Sequence, residues 1–146
     1  MEAVIFIGVQ ASGKTSFYRE RFFETHLRLS LDMLKTRARE SVLLKACLNA
    51  RQPFVIDNTN MLAAERAAYI TGAKAAGFRV VGYYFRTALR AAIARNKQRA
   101  DKRPIPVPGL IGTFKRLQSP AIGEGFDELF SVELTKDGLF VVESIS

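Results

Sequence analysis

The 146-residue chain has one cysteine, one histidine and no tryptophan, and none of its apolar runs is long. A single cysteine excludes an internal disulfide framework, so nothing in the sequence requires an oxidising compartment. A lone histidine excludes a zinc site built from a His/Cys cluster, and no Ser-His-Asp spacing stands out. Because no apolar run approaches the ~18–20 residues of a membrane span, and Glu2 interrupts the apolar N-terminus, we expect no membrane helix, no signal peptide and a cytoplasmic location.

Acidic residues are scarce in one region of the chain. Residues 86–116 contain nine Lys or Arg against the single acid Asp101, whereas the remainder holds 13 basic and 13 acidic residues. This basic tract indicates contact with a polyanion; ATP could use part of it, and nucleic acid could use all of it. A solvated basic helix face would have the same composition, and both interpretations stay open. With 48% hydrophobic and 25% charged residues, the chain has the composition of one globular domain over 1–146.

The sequence Gly8-Val9-Gln10-Ala11-Ser12-Gly13-Lys14-Thr15 fits the phosphate-binding motif G-x-x-x-x-G-K-[ST]. An apolar, β-branched run at 3–7 precedes it and predicts a strand, and 15–23 can start a helix. In this context the loop amides and the helix N-terminus surround phosphate, Lys14 reaches the β- and γ-phosphates, and Thr15 holds Mg²⁺. The predicted nucleotide-binding positions of the loop are Gly8, Gln10, Ala11, Ser12, Gly13, Lys14, Thr15 and Ser16.

Strands and helices are predicted to alternate along the rest of the chain. Further strands are expected at 26–31, 54–56, 78–85 and 126–134, with an edge strand at 139–142; helices are expected at 33–51, 62–76, 88–99 and 110–117. This alternation predicts an α/β fold, a parallel β-sheet flanked by helices. Ligands of such sheets bind at the C-terminal ends of the strands, so the loop, Asp32, Asp57 and the basic tract are expected to share one crevice.

Two aspartates that follow predicted strands are candidates for phosphoryl-transfer chemistry. Asp32 could accept the proton of an attacking hydroxyl as a general base, or cap the helix at 33–51, and the two roles can coexist. Asp57 could hold Mg²⁺ directly or through water, or serve as a turn residue. Thr59 and Asn60 are expected to shape that turn rather than contact substrate.

Cations are the remaining candidates. Arg95 and Arg99 lie four apart on a predicted helix, share a face and could clamp the donor phosphates. That helix and the Pro-rich loop after it could form a lid, over about residues 95–118, that closes on ATP and excludes water. Lys35 lies one helical turn after Asp32 and could grip a phosphate on the acceptor, or be a solvated surface lysine.

Taken together, these residues resemble the polynucleotide 5′-hydroxyl kinase family. The resemblance covers 5–117. It depends on the phosphate-binding loop at 8–15, called the P-loop below, and on three further segments: Leu31-Asp32-Met33-Leu34, Asp57-Asn58-Thr59-Asn60, and Arg95-Asn96-Lys97-Gln98-Arg99 followed by Pro104-Ile105-Pro106. It implies a P-loop NTPase fold with a helical, Pro-rich lid, and Mg²⁺-dependent transfer of the γ-phosphate of ATP or another NTP. The implied partner and acceptor is a 5′-OH end of RNA or DNA.

The resemblance also assigns roles to single residues. It implies that Lys14 and Thr15 serve ATP and Mg²⁺, that Asp32 activates the 5′-OH, and that Arg99 and Arg95 contact the donor phosphates. Lys35 falls where the family often has an arginine that contacts the acceptor, and Leu31 stands where some members have arginine. A small-molecule kinase of the same fold and a non-catalytic NTP-binding switch remain alternatives, and the sequence leaves the oligomeric state open.

Overall fold

A computed structural model describes residues 1–98 and 104–146 of the chain. Within these residues one sheet has the strand order β2-β3-β1-β4-β5-β6, parallel throughout except for β6, which runs antiparallel to β5. The strands are β1 (Glu2–Ile7), β2 (Leu27–Leu29), β3 (Phe54–Ile56), β4 (Arg79–Phe85), β5 (Glu128–Leu134) and β6 (Phe140–Ser144). The predicted α/β fold with a mostly parallel sheet is therefore confirmed.

Helices cover both faces of this sheet. They are α1 (Lys14–Arg21), α2 (Leu31–Leu34), α3 (Arg37–Ala50), α4 (Ala63–Ala75), α5 (Leu89–Lys97) and α6 (Val107–Arg116). In the part of the chain that the structure describes, none of them is long and apolar enough to cross a membrane. Residue 99, at the end of the predicted helix 88–99, and the start of the predicted Pro-rich loop lie outside the described residues.

The central strand β1 is buried on both sides, as its continuous apolar sequence predicts. Val4 and Phe6 face α1, where they join a cluster with Phe17 and Phe22. Ala3, Ile5 and Ile7 face the other way, into a cluster with residues of α3 and α4. Because side chains alternate along a strand, this short segment supplies both layers of the core and fixes where the chain leaves the sheet at Gly8.

The predicted helix 33–51 is wrong as a single element, because the structure divides it in two. Helix α2 ends at Leu34, Lys35 has a φ of +74°, and the side chain of Thr36 accepts a hydrogen bond from Arg39 N to cap α3. The predicted strand 26–31 is also too long, since β2 ends at Leu29 and α2 begins two residues later. Asp32 consequently lies inside the short α2, and the alternative that it caps the long helix is wrong.

Helix α6 begins earlier than the predicted 110–117. It starts at Val107 and includes Pro108 in its first turn. Proline is tolerated there because the first amides of a helix have no intrahelical acceptor. The Pro-rich segment thus leads directly into a helix, which brings α6 beside the P-loop.

Candidate active site

A crevice of about 460 Å³ opens at the C-terminal ends of the parallel strands. The predicted site residues that line it are Gln10, Ala11, Gly13, Lys14, Thr15, Ser16, Asp32, Asp57 and Arg95. Gly8 and Ser12 belong to the same loop but lie behind its surface, and Ser12 is buried. Lys35 is exposed and is not among the lining residues, and Arg99 lies outside the described residues. Four separate segments of sequence therefore meet at one place, as the strand-end argument predicts.

Close packing explains the first glycine of the loop, and backbone conformation explains the second. A Cβ added at Gly8 would lie 2.9 Å from both Phe85 Cβ and Ser12 Oγ. Gly13 has a φ of +98°, in the left-handed region that favours glycine. The amide of Gly8 donates to Thr59 O at 3.0 Å, which fastens the loop to the turn after β3. The loop is thus held in a fixed conformation by its neighbours.

The ammonium group of Lys14 lies against the loop itself. Its Nζ donates to Val9 O at 2.7 Å and to Gly8 O at 3.0 Å, with Ser12 Oγ at 3.5 Å. Lys14 is also the first residue of α1, and the N-terminus of a helix carries a partial positive charge. The mouth of the loop therefore presents positive charge of two origins, which suits a polyphosphate.

Thr15, Asp57 and Arg28 form a hydrogen-bonded triangle on the crevice wall. Thr15 Oγ1 donates to Asp57 Oδ2 at 3.1 Å, and Arg28 Nε donates to the same Oδ2 at 2.8 Å. Arg28 Nη2 also donates to Thr15 Oγ1 at 3.3 Å. The Asp57 side chain is 2% exposed and that of Arg28 18% exposed. Sequence reasoning missed Arg28, whose only signal is a charge between two leucines of a short strand.

The same pair of oxygens fits a magnesium ion. Mg²⁺ binds hydroxyl and carboxylate oxygens and usually keeps several waters or phosphate oxygens as its other ligands. Thr15 Oγ1 and Asp57 Oδ2 are adjacent, and both residues line the crevice. In the described ranges no group of three or more His, Cys, Asp or Glu could hold a metal. A metal here would therefore depend on few protein ligands and on the bound phosphates.

Asp32 is exposed on α2 and lines the crevice, and a partly buried chain of hydrogen bonds holds that helix. The amide of Leu31 donates to Asn58 Oδ1 at 2.9 Å, and Asn58 Nδ2 donates to Glu40 Oε2 at 2.9 Å. Tyr69 Oη donates to Glu40 Oε1 at 2.6 Å, and burial together with this hydrogen bond raises the pKa of the Tyr69 phenol, which keeps it a donor. Sequence reasoning missed the buried carboxylate of Glu40 in this chain of hydrogen bonds.

Asn60 has a structural role, as predicted. Its side chain is buried, its φ is +45°, and its Nδ2 donates to Phe6 O at 2.7 Å. The carbonyl of Asn60 accepts from Arg66 Nη1 at 2.9 Å. Asparagine tolerates this left-handed conformation better than most residues, so it holds the turn against β1.

Arg95 lies on α5 at the other side of the crevice. Its Nη2 donates to Leu134 O at 3.4 Å, whereas its Nη1 is buried and has no hydrogen-bond partner among the described atoms. Burial lowers the pKa of this guanidinium. Two hydrogen bonds between the Asn96 side chain and the backbone of Ile105 join α5 to the segment before α6. An unsatisfied cationic donor beside the P-loop fits an anionic ligand.

The two helices of the predicted lid contact the P-loop directly. Gln10 Nε2 donates to Thr113 Oγ1 of α6 at 3.2 Å. Val9 packs in a small apolar cluster with Ala92 of α5 and Leu110 of α6. These contacts join the P-loop to both helices.

Comparisons with known proteins agree with this arrangement. A family model described as "AAA domain" matches residues 25–118. Kti12 of Chaetomium thermophilum, solved in complex with ADP-AlF3, is 17% identical with a TM-score of 0.64, over 93% of this chain and 92% of that chain. A gluconokinase from Sinorhizobium meliloti 1021 is 17% identical with a TM-score of 0.62, over 92% of this chain and 83% of the gluconokinase chain. The AvrRxo1-ORF1:-ORF2 structure with ATP is 14% identical with a TM-score of 0.67. The match covers 97% of this chain but only 57% of the AvrRxo1 chain. At these identities the likeness shows a shared fold.

Proposed function

We propose that this chain, which belongs to the AAA domain family, is a Mg²⁺-dependent phosphotransferase that moves the γ-phosphate of ATP or another NTP to a hydroxyl group. One observation carries the proposal. Lys14 and Thr15 of the P-loop, Asp57 and Asp32 all line one crevice, although the sequence separates them widely. Phosphoryl transfer needs a cradle for the phosphates, neutralisation of charge and a positioned nucleophile, and these residues offer all three.

The chemistry assigns one step to each group. The acceptor oxygen attacks the γ-phosphorus, its proton passes to the Asp32 carboxylate, and the bond to the β–γ bridging oxygen breaks so that the nucleoside diphosphate leaves. Lys14 and Arg95 stabilise the charge that moves toward the leaving oxygen. Mg²⁺, for which Thr15 and Asp57 supply ligands, would neutralise the phosphates when bound. Arg99 is proposed as a further phosphate contact from its spacing to Arg95 and from the family resemblance.

The most specific acceptor we propose is the 5′-OH end of RNA or DNA. Exposed cations follow β4 and cover α5 and α6; those described are Arg86, Arg90, Lys97, Lys115 and Arg116. These side chains would contact the phosphates of a nucleic acid bound beside Arg95, and such contacts weaken as the salt concentration rises. The D-N-T-N turn and the R-N-x-x-R segment support the same acceptor through the family resemblance.

Transfer of labelled γ-phosphate tests the proposal. The wild-type protein is incubated at low salt with 5′-OH RNA and DNA oligonucleotides and, separately, with a panel of small alcohols. Asp32→Asn should lower kcat by about 10²–10⁴-fold while nucleotide still binds, because it removes the proton acceptor. Asp137→Asn, which changes an exposed carboxylate that does not line the crevice, is the matched control. Unchanged phosphate transfer by Asp32→Asn would contradict Asp32 as the base. Nucleotide binding by the wild type without transfer to any acceptor would favour an NTP-binding switch.

A small hydroxyl compound is the second candidate acceptor. Lys35, the residue expected to contact a polymer phosphate, is exposed and does not line the crevice. This favours an acceptor that needs no cation at that position. Transfer to a small alcohol without transfer to oligonucleotides would identify a small-molecule kinase.

A further inference from the structure

We propose that Arg28 is a displaceable latch on the metal site: its guanidinium and Mg²⁺ compete for the same two oxygens, so metal binding expels Arg28 into the crevice. The inference rests on the proposed function, because it concerns the site that would hold the metal of that reaction. It adds a residue that the sequence motifs do not include.

The hydrogen bonds of the triangle carry the proposal. Arg28 Nε is 2.8 Å from Asp57 Oδ2, and Arg28 Nη2 is 3.3 Å from Thr15 Oγ1. The single hydroxyl hydrogen of Thr15 points to Asp57, so Arg28 uses the acceptor side of Oγ1. A hydroxyl oxygen has two lone pairs, so a metal on Oγ1 uses the one beside Arg28 or displaces Arg28 from the other, and in both cases it lies next to the guanidinium. A divalent cation and a guanidinium on one pair of oxygens would stand only a few ångströms apart and repel each other.

Burial indicates which partner moves. The Asp57 side chain is 2% exposed, and its backbone follows β3 in the interior of the sheet. Arg28 belongs to β2, the edge strand, and its side chain is 18% exposed and lines the crevice. An arginine side chain has several rotatable bonds, so it can leave the carboxylate without a change in the sheet. Its new environment is the crevice, which its side chain already lines.

A latch of this kind has two consequences. With Arg28 on Asp57, the buried carboxylate has a charged partner and is not left uncompensated. Each metal ion that binds must replace these hydrogen bonds, so Arg28 raises the Mg²⁺ concentration at which the site fills. Mg²⁺ bound together with a polyphosphate has the advantage over Mg²⁺ alone, since the phosphates supply further ligands.

The test is a Mg²⁺ titration of the binding of a non-hydrolysable ATP analogue. Arg28→Ala should lower the half-saturating Mg²⁺ concentration about tenfold, the scale of a lost charged hydrogen bond. Arg28→Lys keeps the charge but cannot reach both oxygens with a planar fork, so it should shift the titration in the same direction. Arg21→Ala, at the far end of α1, removes the same charge from an exposed position and should leave the titration unchanged.

Thermal denaturation gives a second readout. In EDTA without nucleotide, the Tm of Arg28→Ala should lie below that of the wild type. Saturating Mg²⁺ with the analogue should remove this difference in Tm, because the contact between Arg28 and Asp57 is then already broken in the wild type. Three results would overturn the inference and leave the proposed function intact: a Tm difference that stays constant, an unchanged half-saturating Mg²⁺ concentration for Arg28→Ala, or a Mg²⁺ titration of Arg28→Lys that matches the wild type. The expected shifts without phosphate transfer to any acceptor would support the latch and refute the proposed function. A wild-type protein that binds no analogue at any Mg²⁺ concentration would refute both.

Discussion

Replacing Asn58 by alanine should impair catalysis without impairing nucleotide binding. The Asn58 side chain accepts from Leu31 N at 2.9 Å and donates to Glu40 Oε2 at 2.9 Å, so it ties the start of α2 to a buried carboxylate. Helix α2 has only the four residues Leu31–Leu34 and carries Asp32, the proposed base. Such a short helix depends on outside contacts for its position.

The two lost hydrogen bonds set the magnitude. A neutral hydrogen bond contributes about 1 kcal/mol and one to a charged group about 1.5–3 kcal/mol, so Asn58→Ala should cost about 3 kcal/mol. For a chain of this size that lowers Tm by roughly 10 °C. A displacement of the base by about 1 Å can cost about 10²-fold in rate. We therefore expect kcat to fall by about ten- to a hundredfold, while the Kd of an ATP analogue changes by less than about twofold.

Steady-state transfer and calorimetry measure these quantities, and two further variants sharpen the result. Asn58→Asp keeps the acceptor for Leu31 N but sets a second carboxylate against Glu40, so it should be less stable than Asn58→Ala. Asp127→Ala removes another side-chain acceptor of a backbone amide, Val80 N at 2.7 Å, at the end of the sheet opposite the crevice, and should lower Tm without lowering kcat. Wild-type kcat in folded Asn58→Ala would refute the positioning argument.

Three other substitutions follow from packing and charge. Gly8→Ala places a methyl group 2.9 Å from neighbouring atoms and should cost about 1–3 kcal/mol and weaken nucleotide binding; an unaltered urea midpoint would show that the loop adapts. Arg66 is fully buried with its Nε 2.8 Å from Glu124 Oε1, so Arg66→Ala should lose about 3–5 kcal/mol in urea denaturation, far more than an exposed arginine would. The hydrogen bond from His26 lowers the pKa of Glu2, so the folded protein releases this proton more readily than the unfolded chain; stability should fall as pH drops from about 5 to 3, and Glu2→Gln should flatten that part of the urea-midpoint curve.

The parts of the fold that could be predicted well from the sequence are those that depend on neighbouring residues. The apolar run before Gly8 and the motif itself define β1, the loop and α1, because each signal lies within a few neighbouring residues. The division of 33–51 was missed because Leu34, Ala38 and Val42 keep helical spacing across it. Periodicity does not report a local break, and Thr36 as a capping residue was the available signal.

Long-range pairing explains which site residues were missed. The meeting of Thr15 and Asp57 could be predicted, since both follow parallel strands that end at one edge of the sheet. Arg28 lies 29 residues before Asp57 and reaches it only because β2 pairs in parallel with β3. Glu40 is a charged residue on a helix, which sequence alone assigns to solvent, yet it is 4% exposed.

The turn after β3 connects the donor and acceptor sides of the crevice. Asp57 binds the P-loop threonine, Asn58 holds the helix of the proposed base, Thr59 accepts from the first glycine of the P-loop, and Asn60 is bonded to β1. Four consecutive residues thus fix the P-loop, the candidate metal ligand and α2 relative to one another. In the proposed in-line transfer, the distance between the γ-phosphorus and the acceptor oxygen would depend on this turn, because it joins the P-loop to the helix of the proposed base. Substitutions in the turn should therefore affect kcat more strongly than nucleotide affinity.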